Sequence, residues 1–472
     1  MASIPYAENP GVTAVPGPPL LQLSGFDLAP LGFTTEEFFI SGAASSYKLS
    51  GPATADGRWN AESAESAPFA TRIVVVRPTD AAKFNGAVVV EWLNVSGGGD
   101  GAADWIEVHR EILRGGYAYV CVSAQKVGVE GGPSLVAAGK PLKQADPERY
   151  GHLSHPGDAF AYDIFSHAGR ILRNHDKVLG PLAPKRIIAI GESQSAAFLT
   201  TYVNAVDPIA KVYDGFLIHS RFGSAASLEN ASMAGSPDQP RTVRFRSDLR
   251  APVVAIITET DLLIEGQIPG YYAARRADTG KLRVWEVAGT AHADAYIFSV
   301  ASIDSGTTSL KKIAAGYEPT NKVMGMELAK PMNNAPQHHY VVEAALSSLD
   351  QWIGAGKVPS SADPIKVNDG GKPAFTLDAN GLAQGGVRTP WVDVPTARLS
   401  GLGNSGGILG FMVGVCEPFD ASKLDQLYPS GKREYLEKFE ASLESAIQSG
   451  FILAEDRREI LDLAAIAYRG SR

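Results

Sequence analysis

Residues 186–195 read RIIAIGESQS, and this stretch decides how the chain is organised. Ile187 to Ile190 is a short, wholly apolar run of the kind a buried strand needs. It stops at Gly191, and Ser195-Ala196-Ala197 opens a helix. Ser193 falls on the turn between them, where the strained backbone of a nucleophile elbow lifts a serine hydroxyl clear of a sheet. Such a turn crowds the residues two positions either side of the serine, so both must be small. Gly191 and Ser195 meet that need, with Ser195 standing where the common form has glycine. A strand ending in an ordinary polar turn would read the same over five residues. The rest of the chain decides between the two.

Outward from this point, apolar runs recur. They fall at residues 36–49, 71–77, 87–92, 117–123, 186–190, 215–218, 252–257 and 282–287. The first two read as an antiparallel pair, and the continuous apolar runs after them as parallel strands covered on both faces. Helical periodicity lies between them. Trp105, Val108, His109 and Ile112 share one stripe, and residues 158–179 and 195–206 carry further helices. In a helix over 337–353, Val342, Ala345, Leu349 and Trp352 share one face. The alternation predicts an α/β fold with an eight-stranded, mostly parallel sheet and helices on both faces, the serine following the fifth strand.

The expected organisation has three parts. Residues 1–30, rich in proline and glycine, form an irregular arm. Residues 31–355 form the core, interrupted by long, aperiodic insertions at about 220–250 and 293–336, which have the character of lids or binding walls. Residues 356–472 form an extension packed on the core. Within it residues 421–469 read as two or three helices, with Leu436, Phe439, Leu443 and Ile447 on one stripe.

Composition narrows the function. Of 472 residues, 44% are hydrophobic and 20% charged, an ordinary globular balance. The net charge of −8 and the lack of a basic cluster argue against nucleic acid or an anionic membrane as partner. No apolar run approaches the ~18 residues of a membrane helix. The N-terminus has neither the basic nor the apolar region of a secretory signal, which points to the cytoplasm. Cys121 lies in an apolar run and reads as a small core residue; Cys121 and Cys416 are the two cysteines.

A serine hydroxyl becomes nucleophilic when a base takes its proton and a third group holds the base. In this strand–serine–helix topology the partners follow in the order serine, acid, histidine. After the seventh strand comes Thr258-Glu259-Thr260-Asp261, where Asp261 is the preferred acid and Glu259 the alternative. On an extended stub the two would point to the same side. After the eighth strand comes His292, behind the small residues Gly289-Thr290-Ala291. His338 and His339, at the start of a helix, are its rivals. An oxyanion hole needs two backbone N–H groups. Gln194 supplies one, and Asn94 or Val95, beside the Ser96-Gly97-Gly98-Gly99 turn, the other.

Other chemistry finds little support. His152 and His155 lack the neighbouring ligands of a metal site, so no metal or other cofactor is expected. The glycine run lacks the Gly-Lys-Ser/Thr of a phosphate loop, and no dinucleotide fingerprint opens the first βα unit.

With these residues in place the chain resembles the α/β-hydrolases, and in particular the "alpha/beta hydrolase domain" family of bacterial and fungal proteins. The matching pieces are VVVEWLNVSGG (88–98), HPGDAFAYDIFSHA (155–168), IGESQSA (190–196), TETDLL (258–263), QHHYVVEAAL (337–346) and GGVRTPWVDVP (385–395). The resemblance implies a serine hydrolase using Ser193 and His292. It makes the C-terminal extension a family feature and sets Arg388 near the pocket. Hydrolysis of a small-molecule carboxylic ester through an acyl-enzyme is the leading expectation. An amidase, lactonase or acyltransferase would use the same residues. A non-catalytic ligand-binding protein on the same scaffold is the contrasting expectation. Oligomeric state has no signature in the chain.

Overall fold

The computed structural model describes residues 11–136, 138–174, 176–230, 232–264, 268–368 and 370–470. At its centre is a nine-stranded sheet: β1 (Gly11–Val15), β2 (Phe33–Leu49), β3 (Ala61–Pro78), β4 (Ala87–Trp92), β5 (Ala118–Val122), β6 (Arg186–Glu192), β7 (Gly215–His219), β8 (Val253–Thr258) and β9 (Leu282–Val287). Their spatial order is β1-β2-β3-β5-β4-β6-β7-β8-β9. The pairs from β5 through β9 are parallel, and β1, β2 and β3 add an antiparallel edge.

The sheet has nine strands where eight were expected. The additional strand is Gly11–Val15, which pairs with residues 37–41 and so gives regular structure to part of the expected irregular arm. It is a largely exposed edge strand without an apolar face, so nothing in its composition marks it. Residues 1–10 of that arm lie outside the described residues. Ser193 accordingly follows the sixth strand in chain order.

Alternation along β4 shows why both faces are covered. Val88, Val90 and Trp92 point to one face, with Phe165 and Phe198 from helices α2 (Ala161–Asn174) and α3 (Gln194–Thr201). Ala87 and Val89 point to the other, with Trp105, Val108 and Ile112 of α1 (Ala103–Gly115). Each such valine contributes about 1.5–3 kcal/mol by leaving water. The second face is completed by α5 (Gln337–Ala355), with α4 (Glu259–Leu263) beginning where β8 ends.

Near the C-terminal end the described residues form the α-helices α6 (Ala421–Leu427), α7 (Lys432–Gln448) and α8 (Arg457–Ala467). On α7 the buried residues are Tyr435, Phe439, Leu443 and Ala446, so the stripe is turned slightly from the expected one. Leu436 and Ile447 are only partly buried at its edge. The hairpin formed by Ala397–Ser400 and Val415–Pro418 packs beside the ends of β8 and β9. Among the described residues no helix is long and apolar enough to cross a membrane.

Candidate active site

Ser193 has φ +58° and ψ −113°, a region other residues avoid. The strain is held from both sides: its N–H donates to the His219 carbonyl at 3.0 Å, and its carbonyl accepts from Ala197 N–H at 3.2 Å. The turn is tight enough that a Cβ on Gly191 would stand 2.8 Å from Leu199 Cδ1 and 3.1 Å from Ser195 Cβ. This is the crowding that small residues at 191 and 195 relieve.

His292 reaches the serine from the loop after β9. Its Nε2 lies 2.8 Å from Ser193 Oγ, and its Nδ1 lies 2.6 Å from Asp261 Oδ1. The ring is clamped by Phe222, stacked at 5.1 Å between centroids, and by Thr260, whose Oγ1 accepts its backbone N–H at 3.1 Å.

Asp261 occupies a helical turn, where an extended stub was expected. It is the third residue of α4 and makes a capping box with Thr258. Thr258 N–H and Oγ1 donate to Asp261 Oδ2 at 2.9 and 2.7 Å, leaving Oδ1 for the imidazole. The helical turn sends Glu259 elsewhere. Its carboxylate accepts from Gly289 N–H (2.7 Å), Ser400 Oγ (2.8 Å) and Gly401 N–H (2.9 Å). Glu259 is therefore tied to the C-terminal extension, away from His292.

Of the rival histidines, His338 Nε2 meets His219 Nε2 at 2.9 Å, and His339 stacks on Tyr296 at 3.7 Å; both are buried in packing. His155 Nε2 meets the Ala124 carbonyl at 2.8 Å, and His152 packs against Phe39.

The amides expected to hold an oxyanion are differently engaged. Gln194 opens α3, directly after the serine. Asn94 N–H donates to Gly101 O at 3.0 Å, closing the glycine loop. Val95 N–H donates to Gln194 Oε1 at 3.3 Å, and Gln194 Nε2 to Gln125 Oε1 at 2.7 Å. The Gln194 side chain thus stands over the Val95 amide.

A family profile described as "Alpha/beta hydrolase domain" matches residues 5–462. The chain belongs to this alpha/beta hydrolase family. No curated protein sequence matches it. Among solved structures the chain is similar to esterase Est22, at 15% identity and TM-score 0.28, over 48% of this chain and 64% of that one. The match thus spans less than two thirds of Est22's own length. It is also similar to acetyl xylan esterase 1 from Thermoanaerobacterium (9% identity, TM-score 0.30, 59% of this chain and 81% of that one). A third similar structure is the Pyrococcus furiosus esterase Pf2001 (12% identity, TM-score 0.29, 58% and 87%).

In this chain Ser193 and His292 open into a cavity of about 830 Å³. Its wall is mostly apolar, with Ile106, Phe222, Met233, Ile268, Ile297 and Met412 among its members. Both long insertions therefore contribute to it, through Phe222 and Met233 from one and Ile297 from the other. Arg388 does not line the cavity. Its guanidinium is held in the extension by Asp393 (2.6 Å) and the Ala383 carbonyl (2.6 Å).

One neighbour of the serine escaped the sequence reading. Glu192, inside the pentapeptide itself, places Oε1 3.3 Å from His292 Nε2 and takes hydrogen bonds on its backbone and side-chain oxygens from Asn94 Nδ2. Burial drives Glu192 up to about 8, against the pull of His292. Burial lowers His292, but the carboxylates of Asp261 and then Glu192 outweigh it and hold the imidazole up at about 9.

Proposed function

We propose that this protein hydrolyses carboxylic esters of small molecules through an acyl-enzyme. Ser193 attacks the carbonyl carbon while His292 takes its proton. Asp261 holds the ring and stabilises the imidazolium. Expulsion of the alcohol, protonated by His292, leaves the acyl group on Ser193 Oγ. Water, deprotonated by the same imidazole, then releases the acid. Gln194 N–H donates to the oxyanion, and Val95 N–H joins it when the Gln194 side chain yields its place.

The observation that carries this reading is the unbroken contact from Ser193 Oγ through His292 to Asp261 Oδ1, at 2.8 and 2.6 Å. The apolar cavity supports an aliphatic or aromatic acyl or alcohol group.

The test is labelling by a fluorophosphonate, followed by turnover of p-nitrophenyl esters of increasing acyl length. Native protein is expected to label and turn over. Ser193→Ala and His292→Ala should lose labelling and at least about 10³-fold in kcat. Native protein that folds yet neither labels nor hydrolyses any ester would remove the proposal.

A further inference from the structure

His292 Nε2 has a second oxygen beside it. Ser193 Oγ stands 2.8 Å from that nitrogen, and Glu192 Oε1 stands 3.3 Å from it. Asp261 accepts the proton on Nδ1, so the neutral ring offers a bare lone pair at Nε2. In the free protein the Ser193 hydroxyl donates to it. Once Ser193 carries an acyl group that hydrogen is gone, and Nε2 and Glu192 Oε1 are two acceptors side by side with no hydrogen between them.

Glu192 is placed to act there. Its side chain lines the cavity with Ser193 and His292 and is 12% exposed. Asn94 Nδ2 holds the Glu192 carbonyl at 3.2 Å and the other carboxylate oxygen, Oε2, at 3.4 Å, which fixes the direction of Oε1. Where His292 is neutral, at about 9 and above, Glu192, held at about 8, is ionised and can only accept.

Resting on the esterase reading, we infer that Glu192 is a further catalytic residue. With His292 it holds the water that releases the acyl group, one O–H on Nε2 and the other on Oε1, and so selects water over an alcohol as the second nucleophile. An oxygen about 2.8 Å from both atoms reaches them with modest bending of each hydrogen bond. The water oxygen attacks the acyl carbon and gives one proton to Nε2. The tetrahedral intermediate collapses, Ser193 Oγ leaves with that proton, and the acid departs with the hydrogen that faced Glu192. An alcohol has a single O–H, which His292 must take. Its carbon then stands against the carboxylate, which loses solvent and gains no hydrogen bond. The pair thus separates a hydrolase from an acyltransferase built on the same serine.

The experiment supplies p-nitrophenyl hexanoate with methanol in water at about pH 9, where the ring can act as base. Methyl hexanoate and hexanoic acid are measured after subtraction of the uncatalysed reaction. Both products need the same neutral His292, so their ratio is insensitive to its basicity. Glu192→Leu should raise the ratio of ester to acid about tenfold or more, the worth of a hydrogen bond to a charged acceptor. Glu192→Gln keeps the size of the side chain and should raise the ratio too, because Asn94 claims its amide oxygen and turns the NH₂ towards Nε2. In both variants release of p-nitrophenol should show a burst followed by a slower steady rate. Fluorophosphonate labelling, which needs no water, should persist and reports the state of Ser193 independently. An unchanged ratio in a Glu192→Gln variant that labels would overturn the role of Glu192 and leave the esterase reading standing. Native protein that neither labels nor releases p-nitrophenol would overturn the two together.

Discussion

Asp261 and Glu259 stand two residues apart on one helical turn and serve different parts of the molecule. Asp261 Oδ1 is 2.6 Å from His292 Nδ1, whereas Glu259 binds Gly289, Ser400 and Gly401. Chemistry and architecture are divided between adjacent carboxylates, and substitution should separate them. Asp261→Asn should lower kcat by about 10⁴-fold with little change in Tm, because the ring loses its orienting charge and correct tautomer. Glu259→Gln should lower stability by about 2–4 kcal/mol, since it weakens three buried hydrogen bonds to a charged acceptor. Thermal melts beside single-turnover kinetics check the pair; a Glu259→Gln variant with native stability and a 10⁴-fold loss of rate would reverse the assignment.

The pH dependence has a definite sign. The base must be neutral to accept the serine proton, and His292 is held up at about 9. Activity should therefore climb with pH through the neutral range, close to tenfold per unit, and level off near pH 9. Glu192→Gln removes one of the charges that raise the imidazole, so the acid limb should move to lower pH. A profile already flat from pH 6 would contradict this.

Arg388 lies in the extension, bonded to Asp393 and Ala383 and 27% exposed. Arg388→Ala should leave kcat and KM within about twofold and cost up to about 1 kcal/mol, the scale of a partly exposed ion pair. A KM rise of tenfold or more would return it to the pocket.

Gly401 is hemmed in by two backbone atoms and one side chain. A Cβ there would meet Thr260 N and Thr290 O at 2.5 Å and Glu259 Cβ at 2.7 Å. Gly401→Ala must push the extension away from the turns that hold Asp261 and His292. Destabilisation of about 1–3 kcal/mol is expected, together with a loss of rate. Native values for both would show that the extension moves freely.

Much of this was legible in the sequence, for physical reasons. Buried parallel strands must be apolar throughout, so Ile187–Ile190 and its counterparts marked the sheet, and the strand ends marked Ser193 and His292. What escaped was local chemistry overriding pattern. Thr258-x-x-Asp261 is a capping box, a readable signature that places Asp261 in a helix, whereas the apolar run before it suggests an extended stub. Glu192 and Glu107 sat in view among apolar neighbours, but the burial of an acid depends on elements distant in the chain. α1 hides Asp104, Glu107 and Glu111 as well as its apolar stripe, because it is covered on several sides. Gly11–Val15 left no trace because an exposed edge strand has no apolar pattern to show.

The cavity wall formed by Phe411 and Met412 belongs to the segment between the two hairpin strands of the extension, whereas Ser193, Asp261 and His292 all stand just beyond the ends of strands of the central sheet. Phe411 is 54% exposed, so its replacement costs little packing. Drift in this loop can therefore reshape the cavity while Ser193, Asp261 and His292 keep their places. Paralogues that share the same reactive centre are expected to diverge first at these two positions.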